Sequence, residues 1–141
     1  MNSIQSEVAM LNKMTERLDF QSEALLLRAE RQRLIAGNIA NADTPGYQAR
    51  DFDFARALRE ASAGSALGEG LAAGVMARGG AAQPTLRYAL PAQTNLDRNT
   101  VDMDRERAAF ADNAVKYEAT LRFVGAGVRT ALEAMKAPNQ A

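Results

Sequence analysis

From Met103 to Met135 two lines of side chains repeat every seven positions. Met103, Phe110, Tyr117, Val124 and Ala131 form one, and Arg107, Ala114, Leu121, Val128 and Met135 the other, four positions on. A seam of that spacing, held over about five repeats, predicts a long amphipathic helix built for a helical partner. Asp102 is placed to cap it, and Asp104 and Glu106 complement its positive end. Pro138 forbids continuation beyond about Lys136. Asp112 with Lys116 and Glu118 with Arg122 add acid-before-base pairs at i,i+4, each contributing a few tenths of a kcal/mol. Gly125 and Gly127 lie inside the pattern at a cost of about 1 kcal/mol each relative to alanine, and mark either a kink or a close approach.

The partner helix is at the other end of the chain. Ser6 to Ala42 contain no proline, one glycine at Gly37, and an abundance of Leu, Ala, Glu, Arg and Gln, which predicts one helix spanning roughly 45 Å from Leu11 to Asn41. Phe20, Leu27 and Leu34 fall close to one line, with Leu18, Leu25, Ala29 and Ala36 nearly opposite and Ile35 and Ile39 between. An antiparallel hairpin sets Phe110 against Leu34, Tyr117 against Leu27 and Val124 against Phe20, so the helix–helix seam is expected at Phe20, Leu27, Leu34, Phe110, Tyr117, Leu121, Val124 and Val128. That leaves Leu18, Leu25 and Ile39 as an expected intersubunit face, since a helix apolar around most of its circumference is buried by more than one neighbour.

The fold class expected is therefore all-α: long N- and C-terminal helices packed as an antiparallel coiled-coil hairpin around an irregular, partly flexible centre that has room for a short β-hairpin. The zones are residues 1–45, 46–100 and 101–141. Asp43-Thr44-Pro45-Gly46 predicts a type II turn, with proline presetting φ and glycine accepting φ > 0. An alternating stretch follows through Phe54, then one helical turn through Leu58. The glycine-rich run from about Ala61 to Gln83 is expected to be mobile, and Thr85–Leu90 to form a brief strand.

Composition removes most chemistry. Histidine, cysteine and tryptophan are all absent from the 141 residues, so thiolate nucleophiles, disulfides, the common zinc ligands and the side chain that titrates near neutrality are missing. No enzymatic activity and no cofactor are expected. The 17 basic and 17 acidic residues balance, which argues against nucleic acid as a partner. Arg28, Arg31 and Arg33 are broken up by Glu23 and Glu30 and read as a solvated face. Asp51, Asp53, Asp102, Asp104 and Glu106 read as helix-start and surface charge rather than as a metal cluster. No stretch reaches the ~18 apolar residues of a membrane span, and the N-terminus lacks the pattern of a cleaved signal peptide.

The run Ile35-Ala36-Gly37-Asn38-Ile39-Ala40-Asn41-Ala42-Asp43-Thr44-Pro45-Gly46-Tyr47 closely resembles the N-terminal signature of the flagellar rod and hook axial proteins. Its continuation Gln48 to Phe54 is similar to that of the proximal rod members, and Asn99 to Glu106, followed by Asn113 and Tyr117, resembles the family's C-terminal pattern. The resemblance covers both ends, about half the chain. It departs at Arg98, where the family usually has glycine; a tight turn there is expected either to be lost or to be made without positive φ.

The resemblance implies a structural subunit of the bacterial flagellar basal body. It would be exported unfolded, without a cleaved signal peptide, through the flagellar type III export apparatus. There it would polymerise with its own copies, other rod proteins, the MS ring and rod-base adaptor proteins to transmit torque along the periplasm-spanning rod. It also implies assembly roles for the signature residues Asn38, Ile39, Asn41, Thr44, Pro45, Gly46 and Tyr47; Phe52 and Phe54, counted with them, share one side of an extended segment and fit core packing or a subunit contact equally. Asn38 and Asn41 are expected to cap the first helix and to fix the turn that follows. A helical adaptor or export-chaperone-like binding module is the alternative function.

Overall fold

The computed structural model describes residues 2–66, 87–88 and 98–136. Helix α1 runs Asn2–Ala40, strand β1 Arg50–Asp51, helix α2 Phe54–Ala66, strand β2 Arg87–Tyr88 and helix α3 Met103–Ala134. The long first and last helices pack against each other, as the heptads predicted, and α2 lies on α1. No cis peptide bond occurs among the described residues.

The ends of α3 follow the sequence closely. Asp102, in extended conformation, accepts hydrogen bonds from the N–H groups of Asp104 and Arg105 (3.1 and 3.2 Å), satisfying two donors that the first turn leaves free. Both flank pairs form, Asp112–Lys116 at 2.8 Å and Glu118–Arg122 at 2.6 Å. They are exposed and contribute little each. Gly127 marks a close approach: a Cβ built on it would lie 2.7 Å from Leu18 Cδ2, whereas one on Gly125 would meet nothing within 4 Å.

Helix α2 is longer than expected. Asp53 accepts from the Arg56 N–H at its start, and the helix continues through Ala61-Ser62-Ala63 to Ala66 instead of stopping at Leu58. Alanine outweighs the single Gly64 in propensity, and the packing of Ala57 and Leu58 on α1 supplies the tertiary support that a short helix needs. The remainder of the segment expected to be mobile, 67–83, lies outside the described residues. The central strands form a two-stranded antiparallel sheet with Arg50 opposite Tyr88 and Asp51 opposite Arg87. This is a pairing across a long connection rather than a hairpin; the flanks of the expected strand at 85–86 and 89–90 lie outside the described residues.

The register of the hairpin matches expectation, but its faces do not. Leu27 and Leu34, expected against α3, join Phe52 and Ala57 in one buried cluster, with Phe54 and Leu58 packed on it. That side of α1 therefore belongs to α2. Leu18 faces α3 across Gly127, and Gln32 meets Asn113 from the same heptad line, so Leu25 and Ile39, which continue that line, lie toward α3 and are half-buried. The face expected to wait for other subunits is thus largely intramolecular. On α3 the inward line is Glu106, Asn113, Thr120 and Gly127, one residue away from the expected one. Tyr117 and Val124 flank it half-buried. Phe110 and Phe20 are exposed, and Leu121 and Val128 are 48% and 43% exposed. Two causes act together: α2 occupies the Leu27–Leu34 side, and small or polar residues on α3 let the backbones come closer than a Phe/Leu seam allows.

Candidate functional site

The signature residues converge where α1 ends and α3 begins. Thr44 to Tyr47 form the predicted turn: Tyr47 N–H donates to the Thr44 carbonyl at 3.2 Å, and Gly46, at its third position, has φ +73°. Thr44 and Pro45 are exposed at its tip. Asn41 caps α1 as expected, its Nδ2 donating to the Gly37 carbonyl at 2.8 Å, while its Oδ1 accepts from the Thr44 hydroxyl at 3.2 Å. One amide thus joins the helix end to the turn.

Asn38 does something different. Almost fully buried, it donates from Nδ2 to the Arg50 carbonyl (2.8 Å) and accepts at Oδ1 from the Arg50 N–H (2.9 Å) and the Tyr47 hydroxyl (3.2 Å). Its amide takes both backbone groups of Arg50, as a strand partner would. It does not cap the helix; it ties the helix to β1. Arg31 strengthens the same junction by gripping the Asp51 carboxylate with two nitrogens at 3.3 Å.

The second half of this clasp comes from residues 98–101, which the sequence reading noted only for resemblance. Asn99 is buried, and its Nδ2 lies 2.9, 2.8 and 2.8 Å from the carbonyls of Asn41, Ala42 and Thr44. Its Oδ1 accepts from Val101 N–H. Thr100 completes the contact: its N–H donates to the Tyr47 carbonyl and its hydroxyl accepts from Ala49 N–H. Three carbonyls of the turn that follows α1 thus converge on one amide from just before α3, that of Ala42 and those of Asn41 and Thr44, which also accept from the Thr44 and Tyr47 N–H groups.

Arg98, expected to avoid positive φ, adopts φ +58°. A turn with left-handed backbone is made here after all, in a residue with a Cβ. Arg98→Gly is expected to raise the unfolding free energy by about 0.5–1 kcal/mol, relief of strain exceeding the added chain entropy. A shift of the urea midpoint to higher concentration at unchanged slope is the readout; an unchanged or lower midpoint contradicts it.

Further along the hairpin, Arg28 joins all three helices. Its Nε donates to the Thr120 hydroxyl at 3.1 Å, its guanidinium carbon lies 4.3 Å from the Phe54 ring centroid, and its carbonyl accepts from Asn113 Nδ2 at 2.9 Å. Burial and the neighbouring Arg31 lower its pKa, with Asp112 opposing. Arg33 pairs with Glu30. Arg28 and Arg31 are therefore joints between elements, while Arg33, exposed and paired within α1, belongs to the expected solvated face. Glu106 has its pKa raised, first by burial and also by Asp51, against a hydrogen bond from Asn38 and the charges of Arg105 and Arg31.

The described residues contain no cluster of three or more acidic side chains able to hold a metal ion, and no described helix is long and apolar enough to cross a membrane. Among the described residues Asn38, Asn99, Asn113 and Thr120 are the buried polar side chains, all of them spent on joining segments. Sequence reasoning identified Asn38 and Asn41 but missed Asn99, Arg28 and Thr120 as joints. The available signal was a polar heptad line, 106–113–120–127, running beside the apolar ones.

A family model for the flagella basal body rod protein matches residues 18–48, which span the α1 end and the turn. The flagellar basal body rod protein FlgB of Salmonella typhimurium is 45% identical over 138 residues, covering 92% of this chain and 100% of that protein. The chain belongs to the FlgB family of flagellar basal body rod proteins. FlgB of Escherichia coli is likewise 45% identical over 139 residues, with 92% and 100% covered. FlgB of Cereibacter sphaeroides is 37% identical over 121 residues, with 86% and 94% covered. Membership makes the chain a structural component of the bacterial flagellar basal body, and it covers both halves of the clasp.

Proposed function

We propose that this FlgB-family chain acts by geometry alone, as a non-catalytic subunit that polymerises in the proximal rod and helps to carry torque along it. The observation supporting this is an apolar line that outruns its cover. The heptad line facing α3 at Leu18 and Leu25 continues backward as Leu11, level with the last turn of α3, and Ile4 beyond it, 44% and 67% exposed. Val8 and Met10 beside it are exposed too, as are Leu121, Val128 and Leu132 on α3 and Met135 at its C-cap. Monomers rarely leave apolar strips of this length in water. The surfaces fit helical neighbours, which in this reading are other copies and other rod proteins, with the MS ring, rod-base adaptors and the export apparatus as partners during assembly. Asn41, Thr44, Pro45 and Gly46 hold the angle at which the subunit enters that packing. An adaptor or chaperone role is disfavoured by family membership.

The purified chain is expected to associate with rising concentration, whereas Ile4→Glu/Leu11→Glu stays monomeric with unchanged helical circular dichroism, because neither side chain is part of the buried cluster. In a motility-complementation strain the double variant is expected to abolish swimming. Sedimentation and swimming equal to wild type would remove the proposal's support.

A further inference from the structure

The line along which α3 meets α1 is polar at its centre, although better apolar lines run beside it. Asn113 is 0% exposed; its Nδ2 donates to the Arg28 carbonyl and to Gln32 Oε1 (2.7 Å), and its Oδ1 has no hydrogen-bond partner. Neither acceptor needs it. The Arg28 carbonyl lies inside α1, within reach of the helical N–H four residues on, and Gln32 is only half-buried. A buried amide with one stranded oxygen, serving groups that have other partners, weakens the interface relative to leucine. Its use must lie elsewhere.

The facing line on α1 shows where. Leu11, Leu18 and Leu25 are identical side chains spaced by seven. Leu18 occupies the gap opened by Gly127, and a slip of one heptad in either direction presents Leu11 or Leu25 to the same gap. On this line, apolar packing therefore does not discriminate among the three registers. Gln32 does: it is the one polar residue on the line Ile4, Leu11, Leu18, Leu25, Gln32, Ile39, and it stands opposite Asn113. A slip sets the Asn113 amide against Leu25 or Ile39, where the Gln21 or Ile35 carbonyl takes the place of the Arg28 carbonyl but no side-chain acceptor takes the place of Gln32 Oε1.

We infer that the Asn113–Gln32 pair is a register key for the α1–α3 hairpin, a positioning device independent of the clasp at the hinge end. The clasp and the key are separate locks, so the slip appears only when both are removed. The chain lacks cysteine, which makes introduced pairs unambiguous. Leu25→Cys with Leu121→Cys reports the native register, lying between the Leu18–Gly127 and Gln32–Asn113 contacts; Leu25→Cys with Ala114→Cys or with Val128→Cys reports a slip of one heptad either way.

In full-length protein under mild oxidation, the wild-type background and Asn99→Ala are expected to crosslink only the native pair. Asn99→Ala/Asn113→Leu is expected to crosslink a slipped pair at a yield comparable with the native one. Asn113→Leu alone is expected to keep or raise the melting temperature, since a key costs stability while a simple structural bond supplies it. The inference is overturned if the double variant crosslinks only the native pair, if Asn99→Ala already slips, or if Asn113→Leu lowers the melting temperature.

Discussion

Asn38→Ala is expected to lower the unfolding free energy by about 3 kcal/mol, the largest single effect of any signature residue. The hydrogen bonds of a nearly fully buried amide to Arg50, Tyr47 and Glu106 disappear together, and two of them are the bonds that hold the Arg50 N–H and C=O against α1. A net hydrogen bond is worth about 1 kcal/mol, and stranding a buried partner adds to that. Urea unfolding of the purified monomer measures the loss; a change below about 1 kcal/mol would mean that water replaces the amide and that the junction is not a rigid one. Asn38→Asp separates bonding from charge. It keeps the acceptor for Arg50 N–H and Tyr47 but has no donor for the Arg50 carbonyl, and it places a second carboxylate beside Glu106, whose pKa is already raised by burial. Both carboxyls then titrate higher in the folded state than in the unfolded one. The folded state binds more protons, so the deficit of the aspartate variant is expected to shrink as pH falls through the carboxylate range and to reach its full size at neutrality.

The second large effect is at Asn99. Removing its side chain leaves the carbonyls of Asn41, Ala42 and Thr44 without their shared donor, and Asn99→Ala is expected to cost about 2–3 kcal/mol. Amide exchange gives the location: the N–H groups of Thr44 and Tyr47, bonded to the Asn41 and Thr44 carbonyls, lose protection before those in the middle of α1. Asn99→Asp is the sharper test. It retains the acceptor for Val101 N–H but points a carboxylate at three carbonyl oxygens, so it is expected to be worse than alanine at neutral pH. An aspartate variant as stable as wild type would show that the carbonyls face water and that the clasp does not hold the helix ends together.

These two residues mark the boundary of what the sequence made legible. Both long helices, the Asp102 cap, the turn at Pro45-Gly46 and the antiparallel register follow from propensity, periodicity and turn chemistry, each local or nearly so. Asn38 was legible as important because it ends a helix, but its partner Arg50 was not, since nothing in a side-chain pattern tells which backbone groups a distant loop will present. Asn99 was hidden for the same reason, more than fifty residues from the carbonyls it serves. The faces of the hairpin failed for a different reason. Lines 106–113–120–127 and 107–114–121–128 differ by one residue, about 100° of helix rotation, and apolar content favoured the second. The first is chosen by Gly127, whose missing side chain lets α1 come close, and by hydrogen bonds from Asn113 and Thr120. Hydrophobic periodicity finds a helix that needs a partner; it does not decide which of several stripes the partner takes.

The unequal lengths of α1 and α3, 39 and 32 residues, have a mechanical consequence. With Leu18 level with Gly127, Ala134 stands beside Leu11, and residues 2–10 project about 13 Å past the end of α3. A piece whose two rails end at different heights stacks like masonry laid in running bond. In a column built of such pieces each projecting end would bridge the seam below it, and no cross-section would be made of joints alone. A shear applied at one end would then have to break helices, not merely part their ends.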